Sequence, residues 1–434
     1  MPLSKRADKI VQAVEPLKPG APPHTGFLRG LKTFNSFGSA PFRFYYSGAL
    51  GHQASMSMQQ IANGLLLERL TGSPAILGIM SLANAIPTLA LSLLGGVIAD
   101  RIEKKILVLL GQAALVLLTL AVAIALGVGY LSPAHGGSWW ILVVYSGLQG
   151  AIMGLAMPAR AAMIFDIVSG DQLLNAISLN FMGMNALQLI APLAAGFLIQ
   201  DFDFKSVYYA MTAFFLLAVV LFAFVPRTGV KPTAGRSAVA DVKKGLRYVW
   251  QDKKIRLVLF ISFISIVLGS PWGLLAPFFA DDILHVGAEG LGVLMSVSGI
   301  GAILASVVLA SLPNRNRGLM MLVGGLFLGI ALCGFAASGL WPVSLILIAL
   351  VGIGGTVNGT MANTLVQYHT EAAYQGRVMG LFNMQFGLAS FGNFASGLIG
   401  QQFGVQWAVG SFALVLVLIT TLALIWMPRV RKLA

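Results

Sequence analysis

The chain has 434 residues, 57% of them hydrophobic and only 10% charged, with a mean hydropathy of +0.84. A soluble domain carries about 25% charged residues, so the composition excludes an ordinary soluble protein and points to an all-α membrane protein. The net charge of +13 would suit nucleic acid, yet the basic residues are distributed as membrane topology requires, and the single cysteine excludes an internal disulfide or a thiolate metal site.

Residues 1–41 are basic and Pro-containing, and no cleavable signal peptide is expected there, because no apolar core of the needed length occurs. Within them, FLRGLKTFNSF at 27–37 spaces apolar residues among Arg29 and Lys32, which fits either an interfacial helix or a solvated segment. Runs long enough to cross about 30 Å of hydrocarbon follow near 42–67, 74–100, 105–130, 139–167, 173–200 and 206–226. These six form a first bundle, 42–226. A polar, strongly basic stretch at 227–254 reads as a linker, and DVKKGLRYVW at 241–250 within it suits an interfacial helix. A second set near 255–282, 289–312, 319–338, 342–369, 375–402 and 406–427 forms a second bundle, 255–427, with a tail at 428–434.

With both termini placed in the cytoplasm, 26 of the 28 Lys and Arg residues fall at cytoplasmic ends, leaving only Arg69 and Lys205 outside. That is the asymmetry of the positive-inside rule. It supports twelve spans and a plasma (inner) membrane location, and it accounts for the basic charge without nucleic acid.

Helix 1 is unusually polar. His52, Met56, Gln59 and Asn63 form one stripe, and Gln53 and Gln60 an adjacent one. Such a face cannot meet lipid. It either lines a cavity or bonds to other helices. Asn84, Gln149, Asn185, Gln188, Asn358 and Gln385 are further amides near the midplane, and Thr356, Thr360, Asn363 and Gln367 make a stripe in helix 10. Trp272, beside Pro271 and Gly273, sits at an expected helix break. The candidate substrate cavity therefore comprises His52, Gln53, Met56, Gln59, Gln60, Asn84, Gln149, Gln188, Trp272, Asn358, Asn363 and Gln385. Amides, hydroxyls, methionine and aromatics without a deep carboxylate suit a neutral or anionic amphiphilic molecule. His52 is the one titratable group well inside a span, so it is a candidate proton carrier; the alternative is a permanently neutral, structural histidine.

Residues 173–202 and 374–403 align at an offset that pairs Gly196 with Gly397, Phe181 with Phe382 and Phe202 with Phe403. Each stretch forms helix 5 of its half, as two parallel six-helix pseudo-repeats require.

Between the second and third spans, GGVIADRIEKK at 95–105 fits G-x-x-x-D-R-x-x-K-K, with Gly96, Asp100, Arg101, Lys104 and Lys105. This loop resembles the signature loop of the major facilitator superfamily. With ERLTGSPAILG at 68–78, MPARAAMIFDIVSGDQLLNAISLN at 157–180, KKGLRYVWQDKKIRLV at 243–258 and QGRVMGLFN at 375–383, the chain is similar to its exporter branch, which includes enterobactin and macrolide exporters. The resemblance implies the major facilitator fold and a secondary transporter, more suited to export than import. It implies a cytoplasmic gate of Gly96, Asp100, Arg101, Lys104 and Asp166, with Lys104 bridging Asp166; the plainer reading is that these charges only set topology. It also implies a monomer with a small-molecule substrate, possible proton coupling, no cofactor or metal, and no enzymatic activity.

Two departures stand out. Glu103 replaces the loop's usual second glycine, and Ser146-Gly147-Leu148-Gln149-Gly150 lacks the arginine of many proton-driven antiporters. The antiporter kink of helix 5 is present in relaxed form around Pro192 and Gly196. Importers of the same fold, a lipid flippase and a non-transporting scaffold remain alternatives. No G-x-x-x-x-G-K-[ST] motif occurs, which argues against ATP-driven pumping. If the loop is a latch, Asp100→Asn will increase labelling of cysteines placed along the cytoplasmic cavity; unchanged labelling would remove that role.

Overall fold

The computed structural model describes residues 36–135, 137–168, 170–227, 238–312, 316–371, 374–431 and 433. The basic segment 1–35 and the linker stretch 228–237 lie outside the described residues, as do the side chains of Asp100 and Arg101 and the surroundings of Gly96.

Among the described residues the regular elements are helical. The first half holds α1 (Ala40–Thr71), α2 (Pro74–Arg101), α3 (Lys104–Gly127), α4 (Trp140–Ile167), α5 (Gly170–Asp201) and α6 (Phe204–Ala223). The linker contains α7 (Ala238–Gln251). The second half holds α8 (Lys253–Gly269), α9 (Pro271–Phe278), α10 (Gly287–Ser311), α11 (Arg317–Ala337), α12 (Trp341–His369), α13 (Gln375–Asn383), α14 (Gln385–Phe403) and α15 (Val405–Trp426), and a last turn, α16 (Pro428–Arg431), follows.

Local chemistry sets the boundaries. Gly72, at φ 58°, takes the left-handed turn that ends α1, and its N–H donates to the Glu68 carbonyl at 2.6 Å. The Ser73 hydroxyl then accepts from the Ile76 N–H and starts α2. Asp203 caps α6 and Asp252 caps α8 in the same way. The seventh crossing is broken at Ser270, just before Pro271, and ends in a π-helical turn, Phe279–Ile283. The eleventh, expected as one helix, is divided at Met384 into α13 and α14. Among the described residues, ten helices are long and apolar enough to cross a bilayer. The two remaining crossings are α1, diluted by its amides and histidine, and the divided α13–α14.

The halves repeat each other. In the first, α1 packs on α5 and α6, α2 on α4, and α3 on α4 and α6. In the second, α8 packs on α14 and α15, α10 on α12, and α11 on α12 and α15. The halves meet along two seams, α5 against α10 and α2 against α14, with α1 crossing α9 between them.

Both seams are built on glycine, and at equivalent positions. A Cβ on Gly196 would lie 2.5 Å from the Ala288 carbonyl and 3.3 Å from the Gly292 Cα. A Cβ on Gly397 would lie 2.5 Å from the Pro74 carbonyl and 3.3 Å from the Gly78 Cα. Gly196 is thus a point where two backbones touch, and Pro192 lies inside α5.

Among the described residues the seams run from the Glu68 end to Leu89 against Gly387 and Leu189 against Gly299, and the apolar cores differ between the two ends. At the Glu68 end a single apolar core includes residues of both halves, such as Leu65, Leu77, Ala195, Leu275, Leu291 and Phe335. At the other end, the Lys104 end, two cores are separate. One holds Phe42, Val108, Ile164 and Phe222 of the first half, and the other Ile255, Met321, Val366 and Phe382 of the second. Among the described residues, the halves share a core at the Glu68 end and keep separate cores at the Lys104 end, where α2 also touches the linker helix α7.

Gly397→Val tests this. Overpacking of a tight contact costs about 1–3 kcal/mol, so the joined end should open in a folded protein, and crosslinks between cysteines placed across α2 and α14 there should fall several-fold. Undiminished crosslinking would show that the glycine contact does not hold the end shut.

Candidate functional site

A cavity of about 640 Å³ lies in the second half where the two halves part. Its walls come from α8, α9, α10, α11, α12, α13 and α14. Polar groups reach it from Ser262, Ser265, Thr356, Thr360, Asn363 and Gln385, and aromatic surface from Trp272, Phe382 and Phe386. None of its described lining residues is charged. The wall is smooth backbone in places, since a Cβ on Gly355 or Gly359 would meet nothing within 4 Å.

The polar groups are held by short bonds. Ser262 Oγ donates to Gln385 Oε1 at 2.9 Å, which ties α8 to α14. The Gln367 amide donates to Asn363 Oδ1. Asn358 Nδ2 donates to the Met321 carbonyl at 2.9 Å, and this pins α12 to α11 at the cavity wall. Trp272 packs its ring edge-on against Phe335 at 6.3 Å between centroids, an arrangement that fixes the indole at the helix break.

Of the residues proposed from sequence, Trp272, Asn358, Asn363 and Gln385 come together here. Gln53 and Gln60 share a face of α1 with Gly64, whose absent Cβ would sit 3.0 Å from Pro277 of α9. That face looks toward the second half, and Gln60 is exposed on it. Gln188 is exposed on α5.

The others lie inside the first half. Gln59 and Gln149 exchange two amide bonds, at 2.6 and 2.5 Å, and both side chains are buried; Gln149 Nε2 also reaches Met56 Sδ at 3.3 Å. Asn84 Nδ2 donates to the Ser146 carbonyl at 3.0 Å and locks α2 to α4. His52 places Nδ1 2.8 Å from Gln112 Oε1 and packs on the Phe215 ring. It lines a 10 Å³ void with Gln112 and Arg160 and is not among the residues lining the large cavity. Helical spacing put His52, Met56 and Gln59 on one stripe of α1, but it does not say whether a stripe meets a cavity or another helix.

Ser262, Ser265, Ser298 and Phe386 were not singled out from sequence. A lone serine in an apolar helix carries no distinctive signal, because its hydroxyl can bond its own helix. Phe386 follows Gln385 immediately, and that pairing was the available clue.

At the Lys104 end, Lys104 Nζ lies 2.5 Å from Asp166 Oδ2, and Lys105 Nζ donates to the Ala223 carbonyl at 2.7 Å. Both contacts are inside the first half, between α3 and α4 and between α3 and the end of α6. At the Glu68 end, by contrast, polar contacts cross the halves. Arg69 Nε is 3.0 Å from Asp281 Oδ2, and Ser73 Oγ donates to Gln401 Oε1 at 2.6 Å. Arg69, one of the two cations outside the basic pattern, thus has a partner in the other half.

Comparison with known proteins places this architecture. Residues 45–391 and 261–434 match the model of the Major Facilitator Superfamily. The chain is 26% identical over 370 residues to the transporter YfiS of Bacillus subtilis (strain 168), covering 82% of this chain and 86% of that one. It is 23% identical to the staphyloferrin A transporter of Staphylococcus aureus (strain NCTC 8325 / PS 47), covering 76% and 82%. It is 24% identical to the enterobactin exporter EntS of Shigella boydii serotype 18 (strain CDC 3083-94 / BS512), covering 78% and 77%. Among solved structures, the peptide transporter POT in complex with alafosfalin superposes with a TM-score of 0.72 at 15% identity, covering 91% and 96%. The nucleoside transporter NupG does so with 0.68 at 14%, covering 89% and 99%.

The Gln59–Gln149 pair invites a double-mutant cycle. Gln149→Leu strands a buried amide and should cost about 1–3 kcal/mol, seen as a lower melting temperature in detergent. Gln59→Leu with Gln149→Leu should recover part of the loss; additive losses would show that the two amides do not act as a pair.

Proposed function

Since the chain belongs to the Major Facilitator Superfamily, whose members matched here are multi-pass transporters and not enzymes, we propose that it exports a small neutral or anionic amphiphilic molecule across the plasma membrane by alternating access. The observation that carries the cargo class is the uncharged 640 Å³ cavity, whose walls offer hydroxyls, amides and aromatic rings but no carboxylate. A lipophilic cation would select a buried acid to offset its desolvation. An amphiphile needs apolar surface with a few oriented polar groups, which Trp272, Phe386, Asn363 and Gln385 supply.

The relative named as an enterobactin exporter supports the outward direction, and it and the staphyloferrin A transporter support a small organic cargo. We place the basic Lys104 end in the cytoplasm, following the positive-inside rule. The conformation is then open inward, with the Glu68 end closed outside. Cargo enters the cavity from the cytoplasm. Opening the two glycine seams and bringing the Lys104 ends together would expose it to the exterior, a rocking of one bundle against the other. Gln53 and Gln60 on α1 would complete the site from the opposite wall as the halves approach. His52, buried against Gln112, has the surroundings of a structural residue, so His52→Gln should leave any pH dependence of transport intact.

Binding can be read by thermal-shift titration of the purified protein with enterobactin, staphyloferrin A and a macrolide. At least one should raise the melting temperature, and Trp272→Ala should weaken that ligand about tenfold, or about 1.4 kcal/mol. Stabilisation by lipophilic cations alone would overturn the cargo class. Uptake into inside-out vesicles, absent in right-side-out ones, would establish export.

A further inference from the structure

The closed end of the molecule holds more acid than base. Glu68 closes α1, Asp281 and Asp282 sit in the π-helical turn after α9, and Arg69 is bound to Asp281 Oδ2 at 3.0 Å. Arg69 also lies over the Phe204 ring, 5.5 Å from its centroid, so its position is fixed from two sides. The other charged or titratable groups around this cluster are His285, whose Nδ1 is 2.8 Å from the Asp281 carbonyl, Asp203 and Lys205 beside Phe204, and Glu289 in the first turn of α10.

Glu68 is only 8% exposed, and its Oε2 receives no hydrogen bond. Asp281 Oδ1 is likewise buried and receives none. Yet Arg69, the residue after Glu68, holds the Asp281 carboxyl of the opposite half at 3.0 Å, and that carboxyl is near enough to act on Glu68. Two ionised carboxylates have no hydrogen to place between them, and burying both without a donor is costly. One proton supplies the hydrogen for a carboxyl–carboxylate bond, which satisfies both oxygens.

We propose that Glu68 and Asp281 form a proton-binding site that is complete only while this end is closed, so that one proton is taken up when the halves meet there and released when they part. Arg69 neutralises the charge that remains on the pair. The inference rests on the alternating-access reading above, but not on the identity of the cargo. Glu68 lies past the apolar run 42–67, in the last turn of α1. Burial, with the neighbouring Asp281 and Asp282 carboxyls, pushes its pKa up to about 7. When the halves separate, Glu68 is hydrated and returns to an ordinary carboxylate near 4.5. The closed form therefore binds the proton more tightly than the open form. Closure is favoured by acid, and that advantage is lost as pH rises through about 7. The closed-to-open ratio changes by at most about tenfold per pH unit. With this end facing the exterior, an acidic medium would hold the transporter inward-open.

The test uses the full chain in nanodiscs, without cargo. Spin labels replace Val128 and Leu340, 73% and 67% exposed, which lie on opposite halves at this end, in a Cys333→Ser background. The native chain should show a short interlabel distance at about pH 5.5 that gives way to a longer one by about pH 8.5. Glu68→Gln, whose amide carries its own hydrogen, should stay short across the range. Asp281→Asn serves as the second variant should Glu68→Gln fail to fold, and it should likewise lose the pH response. A native chain with no pH response, or variants that keep the native response, would overturn the proposal. Because no cargo is present, a failed cargo assignment would leave this readout unchanged.

Discussion

Two backbone contacts organise this molecule. Gly196 of α5 meets Ala288 and Gly292 of α10, and Gly397 of α14 meets Pro74 and Gly78 of α2. Inside a bilayer the hydrophobic effect gives little drive to bring helices together, because lipid tails are as apolar as leucine. Close packing has to do it, and glycine removes the side chain that would hold the backbones apart. The two contacts are related by the internal repeat, so they lie at the same height on either side of α1 and α9. The shared core at the Glu68 end, the separated cores at the other and the cavity between them all follow from where these contacts lie.

The polar residues divide according to that geometry. In the first half, Gln59 with Gln149, Asn84 with the Ser146 carbonyl, and His52 with Gln112 each tie two helices of one bundle together. A polar group in hydrocarbon without a partner costs several kcal/mol, so each pairing also fixes a helix register. The second half uses Asn358 in the same way but leaves Ser265, Thr356, Thr360 and Asn363 lining open space. The result is a first bundle stiffened by buried amides and a second bundle that carries most of the binding surface. Alternating access benefits from such an arrangement, since halves that move as rigid bodies transmit a change at one end to the other.

The ends differ in chemistry as well. At the Lys104 end two charged contacts among the described residues tie helices of the first half together: Lys104 with Asp166, and Lys105 with a backbone carbonyl. At the Glu68 end they cross between halves, through Arg69 with Asp281 and Ser73 with Gln401. Exposed ion pairs contribute little to stability, of order 1 kcal/mol or less. Contacts of that size suit an interface that must break on every cycle.

Much of this was legible in the chain itself. Hydropathy placed the crossings, and the offset pairing Gly196 with Gly397 marked the internal repeat; that both glycines sit in the seams came from the packing. The GGVIADRIEKK loop pointed to the family, and Trp272 beside Pro271 marked the break in the seventh crossing. The polar stripe of helix 1 was harder to read. His52, Gln59 and Asn63 occupy one face of α1, but periodicity cannot distinguish a face turned to a cavity from one turned to a neighbouring helix. Only packing showed that Gln59 and His52 are consumed inside the first half, while the exposed Gln60 shares its face with Gly64 toward the second. Arg69 looked like an exception to the charge pattern until its partner, 212 positions away, was brought beside it. The sequence by itself determined the membrane class, the repeat and the positions of the crossings, because these depend on local composition and spacing. Which polar groups bind cargo, which merely pin helices and which acids meet across the halves was decided by the tertiary structure, because those roles depend on distances between residues remote in the chain.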